Sequence, residues 1–406
     1  MAELIDIERA RELVLERTGD PDTESVPLAD ALGRVLSADA CSTEAVPAFD
    51  SSAMDGFAVR AADTRGASLR SPAVLRIVDE SRAGLPAGSR LGPGEAIRIS
   101  TGAMLPAGGD AVVPLEEARA SSERVEVLSA THAGGDIRRA GDDVKQGALV
   151  ITRGTVLGPA ELGVLASLGK AEVACAARPR VAVLTTGDEL VEPDEQGRLG
   201  AVRNTNAYSI PALAVRSGGE VTLRETVCDD FASTREAIAR ALGHDVLIIC
   251  GGVSVGEHDH VRLALASLGV EQVFWGVALR PGRPTWFGPA PGGKLVFGLP
   301  GNPVSAMVTF LLLGRPAIRA LLGAEPDRVR AKAVLDEDYA KCPGRAHAVR
   351  CRLELRDDAW HARTTGAQGS HILSSMLGVD ALALIPAASG GVRAGEVVDI
   401  ELVPRG

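Results

Sequence analysis

Apolar residues at helical spacing mark the two ends of the first half of the chain. Ile7 and Val14 fall on one face of a helix that Asp6 can cap, and Gly19 lies just past its end. The stretch 159–168 again carries apolar residues at helical spacing. We therefore expect residues 1–46 and 140–178 to form one discontinuous helical or linker domain.

The segment between these helices has a different pattern. From residue 73 to residue 127 the apolar runs are short and are broken by glycine and proline. Such a texture is typical of β-strands joined by turns. We expect residues 47–139 to form a β-rich domain inserted into the first one.

Strand and helix patterns alternate in residues 179–327. Strands are predicted at 181–184, 220–227 and 246–250, the first and last of them buried, and helices at 207–217, 233–242 and 261–268. This alternation indicates right-handed βαβ units and a doubly wound, mostly parallel α/β sheet. Two short strands (285–287 and 295–297) and a helix (306–322) follow. Alternating β patterns in residues 328–406 predict a small barrel or sandwich.

Composition narrows the class of protein. The 406 residues are too many for one ordinary core, and 46% are hydrophobic although only 3% are aromatic. The net charge of −10 argues against an extended nucleic-acid surface. The six cysteines show no zinc spacing, and Cys250 and Cys351 lie in apolar or alternating runs typical of buried thiols. Because we find no signal-peptide core and no apolar run long enough to span a bilayer, we expect a cytoplasmic protein.

The most informative loop follows the strand at 246–250, where five apolar residues end in a glycine-rich turn. Open α/β sheets bind their ligands at such strand ends. Glycines allow close approach of an anion, a hydroxyl can donate to it, and carboxylates can hold an accompanying Mg²⁺. The alternative is a tight turn whose last acid caps the next helix. The candidate binding residues of this loop are Gly251, Gly252, Ser254, Gly256, Glu257 and Asp259.

Two further strand ends carry acids. Thr186, Gly187 and Glu189 follow the first strand, and Asp229 or Asp230 follows the second. In a parallel sheet these loops share one edge with the loop that ends at Asp259, where close carboxylates tolerate one another best around a cation. The alternative is that each acid caps its own helix.

Two more loops offer groups for an anion. Arg280 and Arg283 stand between prolines, and guanidinium forks suit phosphate or other oxyanions, although a solvated turn is the alternative. Pro300, Asn302 and Ser305 open the last helix, whose free amides can face an anion. We treat His258 and His260 as loop residues. The chain contains no GxSxG elbow or P-loop, which disfavours hydrolase and classical NTPase functions.

Six long motifs resemble the molybdopterin molybdenumtransferases, the family of bacterial MoeA and the C-terminal domain of gephyrin. They are PAFDSSAMDGFAV (47–59), RISTGAMLPAGGDAVV (98–113), TTGDEL (185–190), GGVSVGEHD (251–259), RPGRP (280–284) and GLPGNPVS (298–305). The resemblance covers essentially the whole chain. It implies a four-domain subunit of an elongated homodimer, in which domains 179–327 and 328–406 are the α/β domain and a C-terminal β-barrel.

The resemblance also implies an activity and its residues. The family inserts molybdate into adenylylated molybdopterin and releases AMP, with Mg²⁺ or another divalent cation, at a site shared between the two subunits. By position, Asp55, Thr101, Glu189 and Asp259 take catalytic places, and Glu189, Asp229 and Asp259 would hold the metal. Arg280 and Arg283 stand where the family often has lysines. Asn204 replaces a frequent acid, and His371 replaces a usual glycine.

Two other functions remain open at this stage. One is a molybdopterin-binding scaffold or partner-binding role of the gephyrin type, and the other is adenylylation of molybdopterin. Expected partners of the enzyme are adenylylated molybdopterin, molybdate and a second copy of the chain. The molybdopterin adenylyltransferase and cofactor-accepting enzymes are further candidate partners. We expect no nucleic acid and no membrane.

Overall fold

The computed structural model describes residues 4–253, 260–326 and 330–403. The first helix is Ile7–Leu15, and the Asp6 carboxylate caps it by accepting the amide of Glu8 at 2.8 Å. The second helix, Pro159–Ser167, begins with a proline, whose missing N–H costs nothing at that position. Both helices lie where the sequence predicts them.

Short strands that the sequence analysis did not predict join the two halves of the first domain. Thr23–Pro27 pairs with Glu172–Ala176, and Ala40–Cys41 pairs with Leu149–Ile151, in both cases antiparallel. Each pair has one strand before the insert and one after it. The division of the chain at residues 46, 139 and 178 stays a prediction. These pairings agree with it, because they join the segments on either side of the insert.

The insert is built on a six-stranded sheet with one parallel pair among otherwise antiparallel neighbours. Its strands, in spatial order, are Ala111–Pro114, Gly56–Val59, Glu95–Ile99, Ala73–Ser81, Arg124–Val127 and Ala118–Ala120. The strand Gly56–Val59 is buried on both faces, with Phe57 in one apolar cluster and Ala58 in another. Gly56 is required here, because a Cβ would lie 2.0 Å from the carbonyl oxygen of Val113.

The α/β domain has a six-stranded sheet in which the first four strands pair in parallel and each of the last two pairs antiparallel with the strand before it. In spatial order the strands are Glu220–Val227, Arg180–Thr186, Val246–Cys250, Lys294–Leu299, Trp286–Ala290 and Phe274–Trp275. The helices are Asn206–Arg216, Phe231–Ala241, His260–Ser267, Pro303–Thr309 and Arg315–Leu321. The second and third of these helices pack on one face of the sheet, and the others pack on the opposite face. The doubly wound prediction is confirmed.

The last helices form one continuous stretch, Pro303–Leu321, joined by a π-helical turn at Phe310–Gly314. By length and composition this stretch is the one candidate membrane span within the described ranges, and 78% of its most apolar window is buried. It corresponds to the helix predicted at 306–322, but begins at Pro303 and continues through Pro316. Its burial in the core that it shares with the sheet accounts for its apolar composition.

The C-terminal region is a closed five-stranded barrel. Its strands are Ala346–Arg356, Ala359–Thr364, Arg330–Leu335, Val397–Leu402 and Ala381–Ile385, and the last of them pairs back with the first. The short strand Leu279–Arg280 of the α/β domain adds in parallel to the first barrel strand. A buried ion pair, Arg11 with Glu401 at 2.7 Å, ties the first helix to the barrel.

All six cysteines are free thiols. Cys250 and Cys351 are buried, which agrees with the prediction from their sequence neighbours. Burial raises the pKa of each of these two thiols to about 12. Neither thiol therefore supplies a thiolate nucleophile at neutral pH.

Candidate functional site

The site lies where the chain reverses direction across the α/β sheet. From Arg180–Thr186 the chain first adds a strand on one side, and then crosses to Val246–Cys250 on the other side. The ends of these two strands are therefore a topological switch point, where open α/β sheets leave a crevice for ligands. The polar loops predicted from the sequence emerge at this edge.

Glycines bring the loops together at the switch point. Gly251 has a φ of +98°, and a Cβ on it would lie 2.8 Å from the carbonyl oxygen of Thr186. The Gly251 amide donates to the carbonyl of Leu299 at 3.0 Å, and Gly301 lies against the Gly251 Cα. Thr186, Gly187, Gly251 and Gly252 are thus assembled around one point. The remaining candidates of this loop, Ser254, Gly256, Glu257 and Asp259, lie outside the described residues.

Acidic side chains gather beside this point. The amide of Asp229 donates to the Asp188 carboxylate at 3.1 Å. Burial, and then the negative charges of Asp188 and Glu189, raise the pKa of Asp229, while His260 opposes the rise. Asp188 was missed by the sequence analysis, and His260 is the first residue of a helix rather than a loop residue. The acids stand close enough to repel one another, a situation that a bound cation would relieve.

Asp230 and Asp229 have different surroundings. Asp230 is the N-cap of Phe231–Ala241, and its carboxylate accepts the Ser233 amide at 2.9 Å, the main cause of its lowered pKa. Of the two acids, Asp229 is the one whose pKa is raised, by burial and then by the charges of Asp188 and Glu189. No cluster of three or more histidine, cysteine or acidic side chains suited to a metal occurs in the described ranges.

A cavity of about 630 Å³ extends from Thr186 and Glu189 towards the barrel. Two buried polar atoms in its wall, Thr186 Oγ1 and Asn206 Oδ1, have no hydrogen-bond partner among the described residues. The other amide atom of Asn206 donates to the carbonyl of Gly301 at 2.8 Å, which fixes the side chain. Because buried polar atoms are ordinarily paired, these two are available to a polar ligand. His371 also lines this cavity.

Asn204, in the same wall, has a structural role. Its amide nitrogen donates to the hydroxyls of Thr185 at 2.7 Å and Thr226 at 2.9 Å, and its oxygen accepts the Ala207 amide at 3.2 Å. The side chain is buried and all its partners belong to the protein. The network joins two strand ends to the start of a helix.

A second cavity, of about 220 Å³, collects the predicted anion-binding groups. Arg280, Arg283, Pro300, Asn302 and Ser305 all line it. The barrel contributes three lining residues that the sequence analysis missed, namely Arg345, Gln368 and Ser370. Nothing near them in the sequence signals this role, because only the packing of the barrel on the α/β domain brings them here. Three arginines and no carboxylate line the cavity, as an oxyanion requires.

Asp55 and Thr101 meet in the inserted domain. One oxygen of the Asp55 carboxylate accepts the Thr101 amide at 2.7 Å and its hydroxyl at 3.1 Å. Both side chains are exposed, and Gly56 holds the strand after Asp55 against its neighbour. The two residues line neither of the cavities above. The predicted site is therefore divided between two regions of the chain.

Comparisons with known proteins agree with this architecture. Successive family models match residues 5–169 (MoeA N-terminal region, domain I and II), 182–320 (probable molybdopterin binding domain) and 332–403 (MoeA C-terminal region, domain IV). A molybdopterin molybdenumtransferase of Bacillus subtilis (strain 168) is 34% identical, with 94% of this chain and 90% of the relative covered. One of Haemophilus influenzae is 36% identical, with 98% of each chain covered.

Solved structures extend the similarity to the fold. The crystal structure of the molybdopterin biosynthesis moeA protein from Pyrococcus horikoshii OT3 superposes with a TM-score of 0.85 at 32% identity. The superposition covers 99% of this chain and 100% of that one. With more than 30% identity along nearly the full length of several relatives, and three family models in sequence, the chain belongs to the MoeA family.

Proposed function

We propose that this chain is a molybdopterin molybdenumtransferase, which inserts molybdate into adenylylated molybdopterin, releases AMP and gives the molybdenum cofactor. The observation that carries the proposal is the pair of neighbouring cavities. One lies at the switch point of a doubly wound sheet and contains unpaired buried polar atoms. The other is lined by three arginines without an acid, and Asn302 belongs to both. A nucleotide-linked pterin and a tetrahedral oxyanion fit these two environments respectively.

The arginine cavity suits molybdate. Two dianionic reactants repel each other, so the protein must supply positive charge where they meet. Arg280 and Arg283 lie on either side of Gly282, whose φ of +121° turns the chain between them. Arg345 approaches from the barrel. Guanidinium groups held in this way would orient the oxyanion with paired N–H donors.

The cavity at the switch point suits adenylylated molybdopterin. Thr186 Oγ1 and Asn206 Oδ1 offer one hydroxyl and one acceptor to the polar edge of a ligand. The amide of Gly252 would lie against its phosphates, since Gly251 and Gly252 leave no side chain in the way. This assignment extends to Ser254, Gly256 and Glu257 as a prediction from sequence.

The acids at the switch point fit Mg²⁺ or a similar divalent cation. Glu189 and Asp229 would hold it together with Asp259 and the phosphate oxygens of the substrate, because Mg²⁺ is bound through carboxylate and phosphate oxygens. Burial raises the pKa of Asp229 most, and the charges of Asp188 and Glu189 raise it further, so a cation beside these acids would favour their ionised forms. When bound, the ion would neutralise charge that develops on the pyrophosphate. The side chains of Glu189 and Asp229 would position the reacting phosphate.

Asp55 and Thr101 would complete the site from a second copy of the chain. The exposed carboxylate of Asp55 is held by Thr101 and is ready to orient a water molecule or the metal shell. We propose a homodimer for this reason, working in the cytoplasm beside the enzymes that supply adenylylated molybdopterin and accept the cofactor.

The test is transfer in a defined mixture of the protein, adenylylated molybdopterin, Mg²⁺ and molybdate, with AMP release and cofactor activity followed together. Wild type is expected to give both. Asp55→Asn is expected to fold normally and to lose activity about 100-fold or more, a typical effect for a group that positions a reacting proton or water. Asp79→Asn is the matched control, since Asp79 in the same domain also accepts backbone amides, those of Glu80 and Ser89.

Other results would identify other functions. AMP release without active cofactor would indicate hydrolysis, and neither product would indicate a binding role of the scaffold type. Consumption of ATP with unmodified molybdopterin would indicate an adenylyltransferase. An Asp55→Asn variant as active as Asp79→Asn would remove Asp55 from the mechanism.

A further inference from the structure

A third cavity, of about 570 Å³, lies between the barrel and the arginine loop. Its charged lining residues are Arg280, Lys341 and Arg350, and no aspartate or glutamate lines it. Tyr339, His347 and Gln368 add neutral polar groups. Positive charge therefore surrounds this space without a counter-charge in its wall.

Arg350 is the strongest sign that the cavity takes an anion. The residue is fully buried, and its Nε donates to the hydroxyl of Ser375 at 3.1 Å. Its Nη2 reaches two carbonyl oxygens, of Ala367 and Gly369, at 3.4 Å each, and its Nη1 has no partner in the part of the chain that the structure describes. No carboxylate pairs with this guanidinium among the described residues. A buried cation without a counter-charge is costly, and an anion in the cavity would offset that cost.

Two further side chains present donors to the same space. Lys341 Nζ donates to the carbonyl of Ser389 at 2.7 Å and to that of Ala387 at 3.3 Å, so its charge is held in place by neutral groups. His347 is buried, and its Nδ1 lies 2.9 Å from the Tyr339 hydroxyl. Burial, helped by Lys341 and nearby arginines, lowers the pKa of His347 to about 4, so the imidazole is neutral at physiological pH. In either tautomer of the neutral ring this pair keeps one further donor, the Nε2–H of His347 or the O–H of Tyr339.

We propose that this cavity is a second anion site, which binds a tetrahedral oxyanion of the molybdate, sulfate or phosphate class through Arg350, Lys341 and His347. Cationic and neutral donors that converge from several sides, without an acid among them, suit an oxyanion. The site is distinct from the arginine cavity of the proposed reaction, but Arg280 lines both. It therefore stores or exchanges an oxyanion one side chain away from the place where molybdate would react. The statement that this cavity lies beside the reaction site rests on the proposed function, and the anion site itself does not.

The test counts bound oxyanions by equilibrium dialysis with radiolabelled molybdate, in chloride buffer at pH 7.5. Wild type is expected to bind two per chain. His347→Glu is expected to bind one, because the new carboxylate pairs with Arg350 and repels an anion. Arg283→Gln is also expected to bind one, since it disables only the reaction cavity, and the double variant none. Lys332→Gln, an exposed lysine of the same barrel, is the matched control and should bind two.

Lys341→Gln provides a second test in case His347→Glu does not fold. Lys341 is half-buried, so the fold tolerates its replacement. Binding of only one molybdate by wild type, or of two by both the His347→Glu and Lys341→Gln variants, would overturn the second site. An unchanged count in Arg283→Gln would instead contradict the reaction cavity, so the two failures are distinguishable. Added sulfate or phosphate separates the sources of the ligand. Displacement of one molybdate indicates a general oxyanion site, and no displacement indicates a site for the substrate itself.

Discussion

Acid should destabilise this protein through His347, and replacing that residue should remove part of the effect. The imidazole is 5% exposed, and its Nδ1 is hydrogen-bonded to the Tyr339 hydroxyl. Protonation would place a positive charge in a buried position that Lys341, Arg280 and Arg345 already make positive. The folded protein therefore resists a proton that the unfolded chain binds readily.

The magnitude follows from the two proton affinities. The pKa of His347 falls from 6.5 to about 4 on folding. Because the folded pKa is the lower one, the neutral state favours folding fully above pH 6.5, and this contribution is lost as the pH falls towards 4. Proton linkage gives a loss of about 2 kcal/mol at pH 5 and about 3 kcal/mol at pH 4, relative to pH 8.

Urea unfolding of wild type and His347→Gln between pH 8 and pH 5, in buffers without oxyanions, measures this loss. Trp360 in the barrel reports the relevant transition. The wild-type free energy of unfolding should fall by about 2 kcal/mol more than that of His347→Gln. His132→Gln, at an exposed histidine of the insert, should follow wild type. Parallel curves for wild type and His347→Gln would show that the folded protein accepts the proton, and would refute the reasoning.

Two structural predictions test contacts that hold the domains in place. Arg11→Met should lower the free energy of unfolding by about 3–5 kcal/mol in a urea titration, because it leaves Glu401 buried without its partner. Adding Glu401→Met should restore part of this loss. No recovery in the double variant would contradict the ion-pair explanation. Gly56→Ala should lower the free energy of unfolding by about 1–3 kcal/mol in the same titration and reduce transfer activity, because its Cβ would press on the neighbouring strand beside Asp55. Gly163→Ala is the control. It has open space around it and should have neither effect.

The sequence predicted the elements whose pattern is local. The strand Val246–Cys250 begins and ends where its run of five apolar residues does, since both faces of a central parallel strand are buried. Helix Ile7–Leu15 follows from its cap and its apolar spacing. The pairing of Thr23–Pro27 with Glu172–Ala176 could not be predicted, because both strands are short and the inserted domain separates them in the sequence.

The same division applies to the candidate site. Arg280 and Arg283 were predicted to meet an anion, because two arginines in a proline-stiffened loop have a recognisable chemistry. Arg345 and Ser370 were not, because they reach that cavity only through tertiary packing. Asp188 was missed for a related reason, since its effect on Asp229 depends on how two neighbouring strands end.

The arginine loop is the point at which the α/β domain and the barrel depend on each other. Leu279–Arg280 pairs with the first barrel strand, so that Leu279 lies opposite Ala346 and Arg280 opposite His347. This register places Arg280 between the two cavities that lack acids. A displacement of the barrel would move Arg280 together with Arg345, and would open both cavities at once. Under the proposed function the barrel is therefore part of the oxyanion-binding apparatus, and variants in its first strand should change molybdate binding before they change ligand binding at Thr186.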